Sequence, residues 1–346
     1  MKKLVAIAAS VAIFAACPAT ADEPAAPGSA PKLLRVGVIG LDTSHSIAFT
    51  QLFNEPNARA ELAGFRVVAA YPQGSRDIQA SVSRVPEYTQ KMQSMGIEIV
   101  DSIDALLEKV DAVLLESNDG RVHLEQSIPV LRSGKPLFID KPVAGSLEEA
   151  LVIYGLAKHY NVPVFSSSAL RYTQGAQAIR DGKIGQVLGA DAYSPASFEP
   201  THPDLFWYGI HGVETLFTVM GAGCESVVRV HTADADVVVG TWADGRIGTF
   251  RGTRRGAHAY GGTAFGAHWV EPIGGFKGYE PLVAAIAEFF RSGRAPVDPA
   301  ETIEIYAFMA AADESKRLGG VPVSIKQVME QAQKQAQVRL QSIAAP

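Results

Sequence analysis

The chain has 346 residues, with 31 Lys and Arg against 36 Asp and Glu and a formal net charge of −5. A 47% hydrophobic and 19% charged composition is that of an ordinary soluble globular protein and excludes a disordered or fibrous chain. With no basic excess and no Lys/Arg cluster interleaved with aromatics, nucleic acid is not an expected partner. The length exceeds one comfortable core, so two domains are expected.

The N-terminus reads as an export signal. Lys2-Lys3 precede an apolar run over 4–16, and Ala19-Thr20-Ala21 offers small residues before Asp22, so 1–21 is read as a signal peptide. A Pro/Ala/Gly/Ser-rich linker follows over 22–32. The expected location is therefore exported and periplasmic. Lipid attachment at Cys17 is the alternative, because Phe14-Ala15-Ala16-Cys17 approaches a bacterial lipobox. No internal segment reaches the roughly 18 apolar residues of a membrane span. Once Cys17 is lost or modified, Cys224 is left alone, so no internal disulfide is expected.

Residues 33–39 (LLRVGVI) form a β-branched run ending at Gly40 and read as a buried strand. A helix is expected over 44–53 with Thr43 or Ser44 as N-cap, and a second strand over 65–70 ending at Tyr71-Pro72-Gln73-Gly74. Helix over 86–95, strand over 98–100 and helix over 103–109 follow. Residues 111–143 then give a strand (112–115), a polar loop to His123, a helical segment, a Gly134-Lys135-Pro136 turn and a strand (137–139) ending on Asp140-Lys141-Pro142. With a helix over 147–160 and a strand over 162–166, the alternation predicts a Rossmann-like doubly wound parallel sheet over 33–168.

After Arg171 the pattern changes. Helix over 174–181, strands over 186–193, 227–230, 237–242 and 247–251, and a hairpin at Asp244-Gly245 predict an α+β domain over 169–330 with a largely antiparallel open sheet. Helices are expected over 211–220, 279–291 and 301–317, and 331–346 as a C-terminal tail. The fold class is α/β.

Polar residues just past the carboxyl ends of buried strands are where open α/β sheets place their ligands. Lys141 is the first candidate for chemistry, since a lysine in a partly desolvated cleft serves as acid or base. His211 is the second. His123 reads as a loop-organising or cofactor-side residue. His202, His211 and Glu214 could gather round a divalent metal, with a hydrogen-bonding substrate site as the preferred reading of the same residues. His258, Tyr260 and His268 read as structural.

In the order His123, Ser133-Gly134-Lys135 and Asp140-Lys141-Pro142, with the spacing from His123 to Lys141, the chain resembles the glucose–fructose oxidoreductase / inositol dehydrogenase (Gfo/Idh/MocA) family. Arg171-Tyr172, Gly182-Lys183-Ile184-Gly185 and the 289–315 region resemble the family's second domain. The resemblance implies NAD- or NADP-linked oxidoreduction of a sugar or polyol, and a homo-oligomer built through the open sheet. It places Lys141 beside the reacting hydroxyl and His211 where the family carries its catalytic histidine. Gly40, Asp42, Thr43, Ser44, His45, Glu116, Asn118, His123 and Asp140 fall on the cofactor side. Arg171, Tyr172, His202, Tyr208 and Glu214 are candidate substrate contacts.

Several positions depart from the family pattern. The G-x-G-x-x-G loop is here Gly40-Leu41-Asp42-Thr43-Ser44-His45, which puts a carboxylate and an imidazole where glycines admit the pyrophosphate. Tyr71-Pro72 stand where an acidic residue would hold the ribose, Glu116-Ser117-Asn118 replace a small loop, and Trp207 replaces an aspartate. Lys2-Lys3 is not a twin-arginine signal, so an exported chain would cross unfolded and without cofactor. Two further readings therefore stand beside the oxidoreductase: a cofactor-independent or metal-assisted carbohydrate lyase, hydrolase or isomerase, and a non-catalytic carbohydrate-binding protein.

Overall fold

The computed structural model describes residues 33–344; the expected leader and linker lie outside them. The first sheet is built from β1 (Leu34–Ile39), β2 (Phe65–Tyr71), β3 (Glu98–Ile99), β4 (Ala112–Leu115), β5 (Leu137–Ile139) and β6 (Val164–Ser166). All its pairings are parallel, in the order β3-β2-β1-β4-β5-β6. Helices α1 (Ser44–Phe53), α2 (Gln79–Ser94), α3 (Ile103–Leu107), α4 (His123–Arg132) and α5 (Leu147–Tyr160) make the crossovers. Strands β4, β5 and β6 are buried throughout, as a sheet covered on both faces requires.

The second half runs α6 (Gln174–Arg180), β7 (Val187–Pro195), α7 (Asp204–Trp207), α8 (Ile210–Met220), β8 (Cys224–His231), β9 (Ala235–Trp242), β10 (Ile247–Thr253), β11 (Gly261–Gly266) and β12 (Val270–Pro272). It closes with α9 (Glu280–Ser292), α10 (Pro299–Arg317), β13 (Val323–Ser324) and α11 (Ile325–Ala344). Seven strands form its sheet in the order β12-β11-β7-β10-β9-β8-β13, antiparallel except where β10 pairs with β7. Both expected architectures are present.

Three local differences have physical causes. Helix α2 begins at Gln79, upstream of Pro86, which sits inside it although proline reads as a helix start. The expected C-terminal tail is helical as far as Ala344. Ala332 and Ala336 are buried, and Leu340 packs where a Cβ on Gly155 of α5 would stand 3.0 Å from it, so a glycine there admits α11. Helix α9 crosses back to the first sheet, where Phe289 meets Phe165 at 5.0 Å and Phe165 meets Phe138 at 5.0 Å. Each such aromatic contributes roughly 1.5–3 kcal/mol of burial. No described helix is long and apolar enough to cross a membrane.

Candidate active site

Strand order reverses between β1 and β4, and the carboxyl ends of the strands beside this switch point carry the candidate chemistry. Lys141 follows β5 and is only 7% exposed, with its ammonium 3.7 Å from Asp140 Oδ2. Asp140 is fully buried, and His45 Nδ1 lies 2.8 Å from the same oxygen. Burial pushes the Asp140 carboxyl up, but His45 and Lys141 outweigh it and hold the group below the usual carboxylate range. Glu116, just past β4, is the opposite case. Burial, reinforced by the Asp140 charge and only partly opposed by Lys141, raises it well above an ordinary glutamate.

His211 lies in the first turn of α8, and its Nδ1 is 2.7 Å from Ser168 Oγ. Ser168 Oγ also accepts from the Leu170 amide, which fixes the hydroxyl beside the ring. Burial first, then the Lys141 and His45 charges, depress this imidazole well below its ordinary value, so it is neutral near pH 7. Tyr208 and Tyr260 frame the ring at 5.1 and 5.9 Å, and their hydroxyls bond each other at 2.8 Å. Ser168 is itself held by Glu214, whose Oε2 accepts the Ser168 amide at 2.8 Å.

His202, His211 and Glu214 do not gather round one point. Nε2 of His202 lies 3.1 Å from Asp119, His211 turns to Ser168, and Glu214 is taken by Ser167, Ser168 and Arg171. Arg171 and Glu214, expected as substrate contacts, form a buried ion pair extended to Glu301, with distances of 2.8 and 2.6 Å. Tyr172 packs against the core. His123 donates from Nε2 to the Ser117 carbonyl at 2.7 Å, which makes it the organiser of the loop after β4. Thr43 takes the N-cap of α1, accepting from the His45 amide. Tyr260, read as structural, belongs to the site. Ser168 and Tyr279 were not singled out, although Ser166-Ser167-Ser168 ends a buried strand and the carboxyl-end rule points there.

The crevice that would take a dinucleotide is filled by the chain's own groups. Gly40 keeps the tight turn after β1 at φ +93°, and a Cβ there would stand 2.3 Å from the Ser117 amide. Beyond it the pattern fails. Asp42 is fully buried and accepts from the Asn118 amide at 2.9 Å and from Ser81 at 2.6 Å. Ser81 accepts from the Ser75 amide, and Ser75 donates to Asp119, which Arg121 also holds. The His45 ring lies between Phe49 and Tyr279, at 5.3 and 4.7 Å. A pyrophosphate would meet a buried carboxylate and an imidazole in place of open backbone amides. These residues do not fit a dinucleotide in this crevice.

Fold and site together define a Rossmann-type sheet whose strand ends present a buried lysine, followed by a mixed, largely antiparallel sheet whose neighbouring helix carries a histidine with a depressed pKa. Residues 34–168 match the family described as "Oxidoreductase family, NAD-binding Rossmann fold" (GFO_IDH_MocA). The match covers this first domain, and over it the chain is similar to the Gfo/Idh/MocA oxidoreductases. A 1,5-anhydro-D-fructose reductase of Ensifer adhaerens is 29% identical over 141 residues, 39% of this chain and 40% of that protein. The chain thus spans less than half the length of the curated relatives it matches. Among solved structures, a scyllo-inositol dehydrogenase from Lactobacillus casei with NAD(H) and scyllo-inositol is similar at TM-score 0.66 and 15% identity, covering 85% of this chain and 100% of that one. A myo-inositol 2-dehydrogenase from Lactobacillus plantarum gives 0.68 and 16%, over 85% and 99%. At such identities these two establish the shared fold.

Proposed function

We propose that the protein transforms a sugar or polyol by moving the proton of a hydroxyl group at Lys141, with His211 as its partner. The observation that carries this reading is the burial of Lys141 beside Asp140, within electrostatic reach of a histidine held neutral. Asp140 orients the ammonium, and Lys141 exchanges a proton with the substrate hydroxyl. His211, its Nδ1 bonded to Ser168, has Nε2 left to exchange a proton with a neighbouring oxygen. The inositol and anhydrofructose chemistry named for its relatives supports the substrate class.

An oxidoreductase would need an acceptor for the hydride of the carbon bearing that hydroxyl, such as NAD(P), which the crevice at Gly40 to His45 does not admit. A second reading is favoured by the Asp42 network: the same acid–base pair works without a dinucleotide, in a carbohydrate elimination, hydrolysis or isomerisation. Product analysis on a panel of inositols and sugars, each with and without NAD⁺ or NADP⁺, tests the proposal and separates the two. Turnover that depends on the dinucleotide supports the first, and turnover without it the second. A ligand that binds with no turnover in either arm sinks both.

Direct titration gives a sharper result. Wild-type protein is expected to cause no saturable change in NAD(P)H fluorescence up to ~1 mM, an affinity weaker than about 4 kcal/mol. The double variant Asp42→Gly with His45→Gly is expected to create one, because it removes the carboxylate and the ring that fill the crevice. Tight binding by the wild type would remove the argument from the Asp42 network.

The homo-oligomer remains part of the proposal. Leu188, Tyr193, Val230, Ile247 and Phe265 are exposed apolar residues of the second sheet, and the occupant we assign to that face is a second copy of the chain. Light scattering on the eluting peak should give a dimer or larger. Leu188→Lys with Ile247→Lys should give a monomer with an unchanged far-UV spectrum.

A further inference from the structure

Three groups that the acid–base reading uses only in part meet at the switch point. His45 comes from the first turn of α1, Glu116 from the end of β4 and Asp140 from the end of β5. One ligand-type atom from each lies within 4.8 Å of the others. Glu116 is fully buried, yet neither of its carboxylate oxygens has a hydrogen-bond partner. Buried polar atoms are nearly always paired, and an unpaired one costs on the order of 1–3 kcal/mol. Asp140 Oδ1, beside Glu116, has no partner either.

A divalent cation supplies the missing partner for the unpaired oxygens of both carboxylates. We infer that His45, Glu116 and Asp140 form a binding site for a divalent metal ion such as Zn²⁺ or Mn²⁺. One imidazole and two carboxylates suit these ions, and three protein ligands leave positions open for water or a substrate oxygen. Three ligands ~2.1 Å from one ion stand about 3.4–3.6 Å apart, so side-chain shifts of about 1 Å close the site. His45 stands where the dinucleotide pattern has a glycine, and it is the residue that supplies the nitrogen. The place left by a glycine in the ordinary loop has become a ligand.

The site is tested on the whole chain by binding, without turnover, so that its result stands apart from the acid–base reading. Protein stripped with EDTA is dialysed against Zn²⁺, Mn²⁺ or Co²⁺ and its metal content measured, with the Co²⁺ visible bands as a second readout. The expected result is one ion per chain, visible bands for Co²⁺, and a melting temperature that rises with ion concentration. Glu116→Gln and His45→Ala should each weaken binding by more than about 100-fold, beyond the loss typical of groups that only support a ligand. Asp191→Asn, an exposed carboxylate of β7, should leave it unchanged. If Glu116→Gln does not fold, His45→Ala and the wild-type stoichiometry carry the decision. No stoichiometric ion at millimolar concentration, or equal binding by wild type and Glu116→Gln, overturns the site.

Discussion

Lys141→Met is expected to lower turnover by about 10²–10⁴-fold, the usual contribution of a positioned acid or base. Methionine keeps most of the buried stem and removes only the charged, proton-bearing end. The variant also removes a cation beside the buried Asp140 carboxylate, so a loss of stability accompanies the loss of rate, and rates are compared at a temperature where the melts show each protein folded. Lys141→Arg is the second arm. It keeps the charge but replaces the amine with a guanidinium that does not release its proton, and it should be nearly as impaired. Rates with a polyol substrate and a thermal melt on each variant decide the matter. A Lys141→Met protein retaining a third of wild-type activity would remove the lysine from the chemistry.

Arg171→Ala should destabilise the protein by about 3–5 kcal/mol, the cost of leaving buried charges without their counter-ion. Arg171 is 3% exposed and joins Glu214 of α8 to Glu301 of α10, so it ties the end of the first sheet to two helices of the second half. The charge is not itself what the fold needs. Arg171→Met with Glu214→Gln and Glu301→Gln should recover much of the loss, because it removes the unpaired charges together. Urea unfolding of both proteins is the measurement, and a loss below 1 kcal/mol for Arg171→Ala would contradict the account. The same variant should also disturb catalysis, since Glu214 holds Ser168 and Ser168 holds His211.

The strand and helix order was legible along the chain because each element carries a local signature. Val36 and Val38 are β-branched and buried, Ser146 with Glu149 writes a helix start, and Asp244-Gly245 writes a hairpin. Lys141 was legible for the same reason, since it lies just past a strand end. The role of Glu116 was not. Nothing in Glu116-Ser117-Asn118 says that its carboxylate is buried without a partner beside Asp140. Nor could Arg171 and Glu214 be told from substrate contacts, because charged residues near a site look alike until burial separates them.

By itself the sequence determined the α/β class, the parallel first sheet, the change of architecture after Arg171, and a first loop too crowded for a pyrophosphate. Those features depend on side-chain period, turn residues and the presence or absence of glycine, all of which are local. Only the tertiary structure decided what fills the loop and what the site contains. Asp42 meets Asn118, His45 meets Asp140, and Ser168 meets His211 across separations of 76, 95 and 43 residues. Such pairings arise from how the strands are ordered and how the second half folds back on the first. Side-chain period and turn chemistry along a segment carry no information about its distant partners.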